Sequence, residues 1–192
     1  MKIIFATQNQ HKLRELQEML GSTFNLLSLN DLNYTDDIPE TKETIAENAS
    51  QKAWFVYNLF GENCFADDTG LEVEALNGEP GVYSARYAGE NKDSQANIAK
   101  LLEKLNNHTN RNARFVTVIS LIINQKEFLF EGIVEGDILY EKHGTAGFGY
   151  DSVFQPKGFT QTFAQMQAET KNKISHRGLA VKKLVDFLIQ NK

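Results

Sequence analysis

Two periodicities alternate along the first third of the chain. Ile3-Ile4-Phe5-Ala6 is a continuous apolar run of strand length. Leu13, Leu16, Met19 and Leu20 then recur at helical spacing, with Gly21 as a stop signal. Phe24 to Leu29 reads as a second strand, and the polar stretch from Asn30 to Lys42, interrupted by Pro39, as a loop. Thr44 and Glu47 have capping-box spacing. The helix they open turns Ile45, Ala49, Ala53, Val56 and Phe60 inward and stops at Gly61. Cys64-Phe65-Ala66 is strand-like and leads into Asp67-Asp68, followed by Thr69-Gly70, a turn signal. Leu71 to Leu76 alternates like a half-exposed strand, and Asn77-Gly78 turns it.

Further on, Asp93 or Ser94 starts a helix carrying Ile98, Leu101, Leu102 and Leu105. Ala113 to Asn124 and Glu127 to Val134 are strand patterns joined by a short turn near Gln125-Lys126, which predicts a hairpin. A glycine-rich segment, Gly144 to Asp151, leads to a short strand at Val153-Phe154. Ser175 caps a last helix with Leu179, Leu184, Phe187 and Leu188 inward. Helices between strands early and a hairpin late predict an α/β fold. Its sheet is expected to be mixed and strongly twisted, flanked by helices. No linker separates independent domains, so the expectation is one domain over residues 1–192, with two lobes around a cleft.

Composition narrows the function classes. The chain has 192 residues and a net charge of −5, with no run of Lys or Arg. That argues against duplex nucleic acid or an anionic membrane surface as partner. It leaves room for an anionic small molecule, which needs a local basic pocket. The apolar run Val118 to Ile123 is too short to span a bilayer and is broken by Ser120. The N-terminus enters a strand pattern directly, without signal-peptide architecture. Cys64, the single cysteine, sits in an apolar run and reads as a buried strand residue. One cysteine cannot form an internal disulfide, which fits a reducing cytoplasm.

Four features carry candidate chemistry, and each has a bland alternative. Asp67-Asp68 at the mouth of a strand can hold a divalent cation and take a proton from water, with Glu40 as a further acid; the alternative is a polar turn. Thr7-Gln8-Asn9-Gln10-His11-Lys12 joins the first strand to the first helix, where open N–H groups and a lysine suit phosphate; the alternative is an ordinary Asn9 cap. It has neither the glycines nor the Lys-Ser/Thr of a Walker A loop. Gly147-Phe148-Gly149-Tyr150-Asp151 offers a backbone that approaches a flat ligand, a ring to stack on it and a carboxylate for a base edge. The alternative is a turn with inward aromatics. Lys171 and Ser175-His176-Arg177-Gly178 form a second cationic helix start, or simply a capped amphipathic helix. As a set, cationic helix starts, an acid pair and an aromatic glycine loop suit a magnesium–nucleotide.

With these residues in view, the chain resembles the inosine/xanthosine triphosphate pyrophosphatases, which remove deaminated purine nucleotides. The matching stretches are Thr7-x-Asn9-x-x-Lys12, Glu40-Thr41, Glu47-Asn48-Ala49, Ala66 to Leu71, Pro80 to Gly89, Gly147 to Asp151, and Lys171 with Ile174 to Gly178. They run in order over nearly the whole chain. One position departs: the family commonly has glycine after the first threonine, and this chain has Gln8.

The resemblance implies a two-lobed mixed α/β fold, a homodimer and a magnesium-dependent reaction. ITP, dITP or XTP would become the monophosphate plus pyrophosphate. It implies Asp68 as general base, with Glu40, Asp67 and Asp68 around Mg²⁺, Asp67 leaning to the metal and Asp68 to the proton. Thr7 to Lys12, Thr69, Phe148, Gly149, Tyr150, Asp151, Lys171, His176 and Arg177 would line the nucleotide site. For specificity, Arg177 would donate to a 6-carbonyl and Asp151 accept from an N1 hydrogen, a pattern adenine reverses. Pro80 to Gly89 fits either a dimer contact or internal packing. The competing readings are a related pyrophosphatase acting on modified pyrimidine nucleotides and a non-catalytic nucleotide sensor. A haloacid-dehalogenase-type phosphatase fits less well, because its aspartates are spaced by one residue.

Overall fold

The computed structural model describes residues 2–20 and 25–191, so the expected stop at Gly21 and the strand start at Phe24 lie outside the described residues. The chain divides into two units, one of residues 1–68, 117–132 and 177–192, the other of residues 69–116 and 133–176.

In the first unit, β1 (Lys2–Phe5) lies parallel to β2 (Asn25–Ser28) and to β3 (Cys64–Val73), with Phe5 opposite Ser28 on one side and Phe65 on the other. Parallel neighbours need crossovers, and α1 (Gln10–Leu20) and α2 (Ile45–Phe60) supply them. The period-two alternation of the strands sorts the core into two layers. Ile3, Phe5 and Phe65 pack with Leu16 and Leu20 of α1 and with Ala180, Val181 and Leu184 near the chain end. Ile4, Ala6, Cys64 and Ala66 pack on the other face, with Ala53 and Val56 of α2. The expected cap holds: the Thr44 hydroxyl oxygen accepts the Glu47 N–H, and Gly61 closes α2 at φ 69°.

The turn expected at Thr69-Gly70 is absent. β3 runs unbroken from Cys64 to Val73, straight through Asp67, Asp68, Thr69 and Gly70. Pairing overrides the local turn signal, since in the second unit Leu71 and Glu72 lie antiparallel to Gly81 and Pro80 of β4 (Pro80–Gly81). The strand ends earlier than expected, because Glu74–Leu76 forms a 3₁₀ turn before the bend at Asn77 (φ 53°) and Gly78 (φ 90°). The predicted hairpin forms from β5 (Asn112–Ile123) and β6 (Lys126–Ile138). Its turn residues Asn124 and Gln125 both have positive φ, 49° and 63°, as the twist of a tight hairpin requires. The described strands follow the order β2-β1-β3-β5-β6-β7, with β4 on β3. This is a mixed sheet flanked by helices.

The second unit adds α3 (Ser94–Lys104), capped by Asp93, then β7 (Phe154–Pro156) and α4 (Ala168–Ile174). Leu71, Val73, Ile98, Leu101, Phe115, Phe154 and Phe163 form its core. The polar stretch that holds Lys171, ahead of the last helix, is itself helical and forms α4. Pro80 to Gly89 is pinned internally. Ser84 Oγ accepts the Leu71 N–H at 2.8 Å, and the Asn97 amide bridges the Ala88 N–H and the Ala85 carbonyl at 2.6 and 2.9 Å. The last helix, α5 (His176–Gln190), begins at the boundary and belongs to the first unit from Arg177 onward. No described helix is long and apolar enough to cross a membrane.

Candidate active site

Because β3 continues through the acid pair, its alternation sends the two side chains to opposite faces. Asp67 follows Phe65 to the side of α1 and α5. There its Oδ2 lies 3.0 Å from Lys12 Nζ and 3.4 Å from Arg177 Nε. Arg177 Nη1 is also 2.5 Å from Glu15 Oε2 on α1. Asp68 follows Ala66 to the side of α2. Its Oδ1 lies 3.0 Å from Lys52 Nζ, and the same ammonium is 2.5 Å from Glu40 Oε1. Lys52 reaches this place because it shares the inward face of α2 with Ile45, Asn48, Ala49, Ala53 and Val56. Glu40 is brought in by its loop, which is fastened to α2 beyond it. The Thr41 N–H donates to Gln51 Oε1 at 3.0 Å, and the Lys42 N–H to Asn48 Oδ1 at 2.9 Å.

The two aspartates therefore titrate in opposite directions. Burial pushes the Asp67 carboxyl up, but Lys12, Arg177 and Lys52 together outweigh it and hold Asp67 well below the usual carboxylate range. For Asp68 burial wins. Lys52 and Lys12 pull down while Glu40 pushes up, and the net shift is upward. Asp67 is thus a fixed anion, and Asp68 has the greater proton affinity. Burial also lowers Lys12, since Asp67 only partly offsets it beside Lys52 and Arg177.

This split separates the three acids expected around the metal. Among the described residues no three His, Cys, Asp or Glu side chains stand together to hold a metal. Glu40 and Asp68 share one cation, whereas Asp67 is engaged by two others. The pair that remains still fits a hard divalent ion. Magnesium is commonly held by one or two carboxylates, with phosphate oxygens and water completing its shell.

The first loop also differs from expectation. The His11 and Lys12 N–H groups, expected to be open to an anion, both donate to Asn9 Oδ1, at 3.0 and 3.2 Å. Asn9 in turn donates its N–H to Thr7 Oγ1 at 3.2 Å. Gln10 and His11 are exposed on the first turn of α1, and the Gln8 amide donates to the Asp36 carbonyl at 2.7 Å.

In the second unit the expected base-reading residues are joined by one carboxylate. Asp151 Oδ2 accepts the Phe148 N–H at 2.9 Å and the Lys171 ammonium at 2.9 Å. Lys171 Nζ lies 5.4 Å from the centre of the Phe148 ring, which is half-buried. Gly147 (φ 74°) is required here, since a Cβ would sit 2.1 Å from Asp151 Oδ2. Tyr150 is buried and donates its hydroxyl to the Ser84 carbonyl at 2.9 Å, which makes it a core residue. His176 is buried and stacks on Phe115 at 4.5 Å. Thr69 is half-buried on β3 and Gly149 adopts φ 59°.

A sequence model of the Ham1 family matches residues 3–187. The chain belongs to the Ham1 family. It is 53% identical over 192 residues to the dITP/XTP pyrophosphatase of Flavobacterium johnsoniae, covering 100% of both chains. It is 52% identical to the protein of the same name from Porphyromonas gingivalis, covering 98% of this chain and 97% of that one. Among solved structures, the Staphylococcus aureus Ham1 protein aligns with a TM-score of 0.91 and 42% identity over 100% of both chains.

Two charged residues of this Ham1-family chain escaped the sequence reading, Lys52 and Glu15. The periodicity of α2 held the signal for Lys52. Positions 45, 49, 53 and 56 define an inward stripe, and a lysine at 52 on that stripe needs a carboxylate partner. Glu15 gave no comparable signal, because its partner comes from a distant part of the chain. A cavity of about 540 Å³ in the second unit is lined by Glu72, Glu74, Asn112, Arg114, Glu135 and Lys157 among others, none of them among the residues expected from the sequence.

Proposed function

We propose that this protein hydrolyses deaminated purine nucleoside triphosphates, with dITP and XTP foremost, to the monophosphate and pyrophosphate. The carrying observation is the charged cluster on β3, one fixed anion and one proton-accepting acid, within a full-length match to relatives named dITP/XTP pyrophosphatase. We read the two units as lobes of one pyrophosphatase domain, a reading supported by the family match from residue 3 to residue 187.

In this reading Asp68 takes a proton from the attacking water, while the bond between the α- and β-phosphates breaks and pyrophosphate leaves. Its raised proton affinity suits that role. Lys52 holds Asp68 and Glu40 in place, and Asp67 fixes Lys12 and Arg177 as positive charge for the phosphates. Mg²⁺, held by Glu40 and Asp68, would neutralise phosphate charge. In the second unit Phe148 offers a face for the base. Lys171 is in reach of the same region as a donor to a 6-carbonyl, with Asp151 the acceptor for N1–H; adenine reverses both. Arg177, the donor that the resemblance implies, is engaged by Asp67 and Glu15 and fits the phosphate end better. A homodimer acting in the cytoplasm completes the proposal.

The test is a substrate panel with product identification. ITP, dITP and XTP should release pyrophosphate with Mg²⁺ much faster than ATP or modified pyrimidine nucleotides, and EDTA should stop the reaction. Equal turnover of ATP, or orthophosphate as first product, would refute the reading.

A further inference from the structure

The loop that carries Glu40 is anchored at both ends but exposed in between. On the near side, the Tyr34 N–H donates to the Leu29 carbonyl at 3.0 Å, and the Tyr34 ring meets Phe55 and Phe60. On the far side, Thr41 and Lys42 are tied to Gln51 and Asn48 of α2. Residues 35–37 between these anchors are exposed. Into that stretch reaches Gln8, whose Nε2 donates to the Asp36 carbonyl at 2.7 Å. Gln8 sits between Thr7 and Asn9, the two residues whose side chains shape the start of α1 and so aim Lys12.

We propose that Gln8 is a positioning residue: its amide straps the Glu40 loop to the loop that sets Lys12, so that the two acid–cation groups are ordered together before substrate arrives. The contact needs a side-chain donor of this length. Glycine cannot make it. Gln8 acts through Glu40 rather than through the nucleotide, and the inference rests on the pyrophosphatase reading only for its kinetic arm. One exposed hydrogen bond corresponds to roughly a two- to tenfold effect on the population of the ordered loop.

The experiment compares wild type with Gln8→Met, which keeps length and removes the donor, and Gln8→Gly. Amide hydrogen exchange of the free protein should quicken in peptides spanning 33–40, roughly two- to tenfold, and stay unchanged in α3 and β5. With ITP, the Mg²⁺ concentration for half-maximal rate should rise by a similar factor, while KM at saturating Mg²⁺ stays at the wild-type value. Gln8→Arg, which restores a donor, should recover part of both effects. Unchanged exchange in both donor-less variants overturns the strap, whatever the enzyme's substrate proves to be. A rise in KM at saturating Mg²⁺ overturns it in favour of direct substrate contact. Faster exchange with unaltered Mg²⁺ dependence also overturns it, by separating the loop from the site.

Discussion

Asp67→Asn tests the division of labour on β3 most directly. Asp67 is 3% exposed and lies 3.0 Å from Lys12 Nζ and 3.4 Å from Arg177 Nε. Removing one partner of a buried ion pair costs about 3–5 kcal/mol, because the other charge is left desolvated. Two features place this site at the lower end. Arg177 keeps Glu15 at 2.5 Å, so Lys12 is the main loser. Lys12 already has a lowered proton affinity from burial beside Lys52 and Arg177, so it can shed its proton and limit the damage. The expected loss is about 3 kcal/mol at pH 7, or roughly 6–12 °C in melting temperature for a chain of this size. Urea and thermal unfolding followed by Trp54, the sole tryptophan, measure it. The pH dependence has a definite sign. The folded pKa of Asp67 is depressed, so its contribution is present above the unfolded value of about 3.9 and drains away as pH falls below it. The gap between wild type and variant should therefore hold down to about pH 5 and narrow progressively below about pH 4. A loss below about 1 kcal/mol at pH 7, or a gap that widens on acidification, would refute the assignment of Asp67 as the fixed anion.

Asp68→Asn should lower kcat by roughly 10²–10⁴ while ITP still binds by calorimetry; wild-type turnover would remove Asp68 as the base. In the metal-free protein Asp68 should titrate above the ordinary aspartate range by carboxyl-detected NMR, because burial raises it, and added Mg²⁺ should bring it down; a titration below that range without metal would refute the assignment. Gly147→Ala forces a Cβ to 2.1 Å from Asp151 Oδ2 at φ 74°, and should cost roughly 2 kcal/mol or more and erode discrimination against ATP. Thr44→Ala removes the cap on the Glu47 N–H and should destabilise by about 1 kcal/mol in urea unfolding, with kcat unchanged.

Periodicity by itself placed β1, α1, α2, α3, the β5–β6 hairpin and α5, because each has an apolar face that only one regular structure can bury. Cap and turn chemistry at Thr44, Asp93 and Gly61 marked boundaries for the same local reason. Candidate chemistry was legible as residue types: the acids at Glu40, Asp67 and Asp68, the aromatic glycine loop, and lysines near helix starts. What those residues do to one another was not. Thr69-Gly70 reads locally as a turn, and only pairing along β3, with β4 on Leu71 and Glu72, keeps the strand straight through the acids. That continuity decides that Asp67 and Asp68 face opposite layers and meet different cations. Glu15 and Arg177 meet across a sequence separation that carries no local signal, and the α2 stripe shows that Lys52 needs a carboxylate without showing which one. The sequence determined which groups are present and which elements carry them; tertiary packing decided which carboxylate is held ionised and which has a raised proton affinity, because proton affinity depends on burial and on charges that only folding brings near.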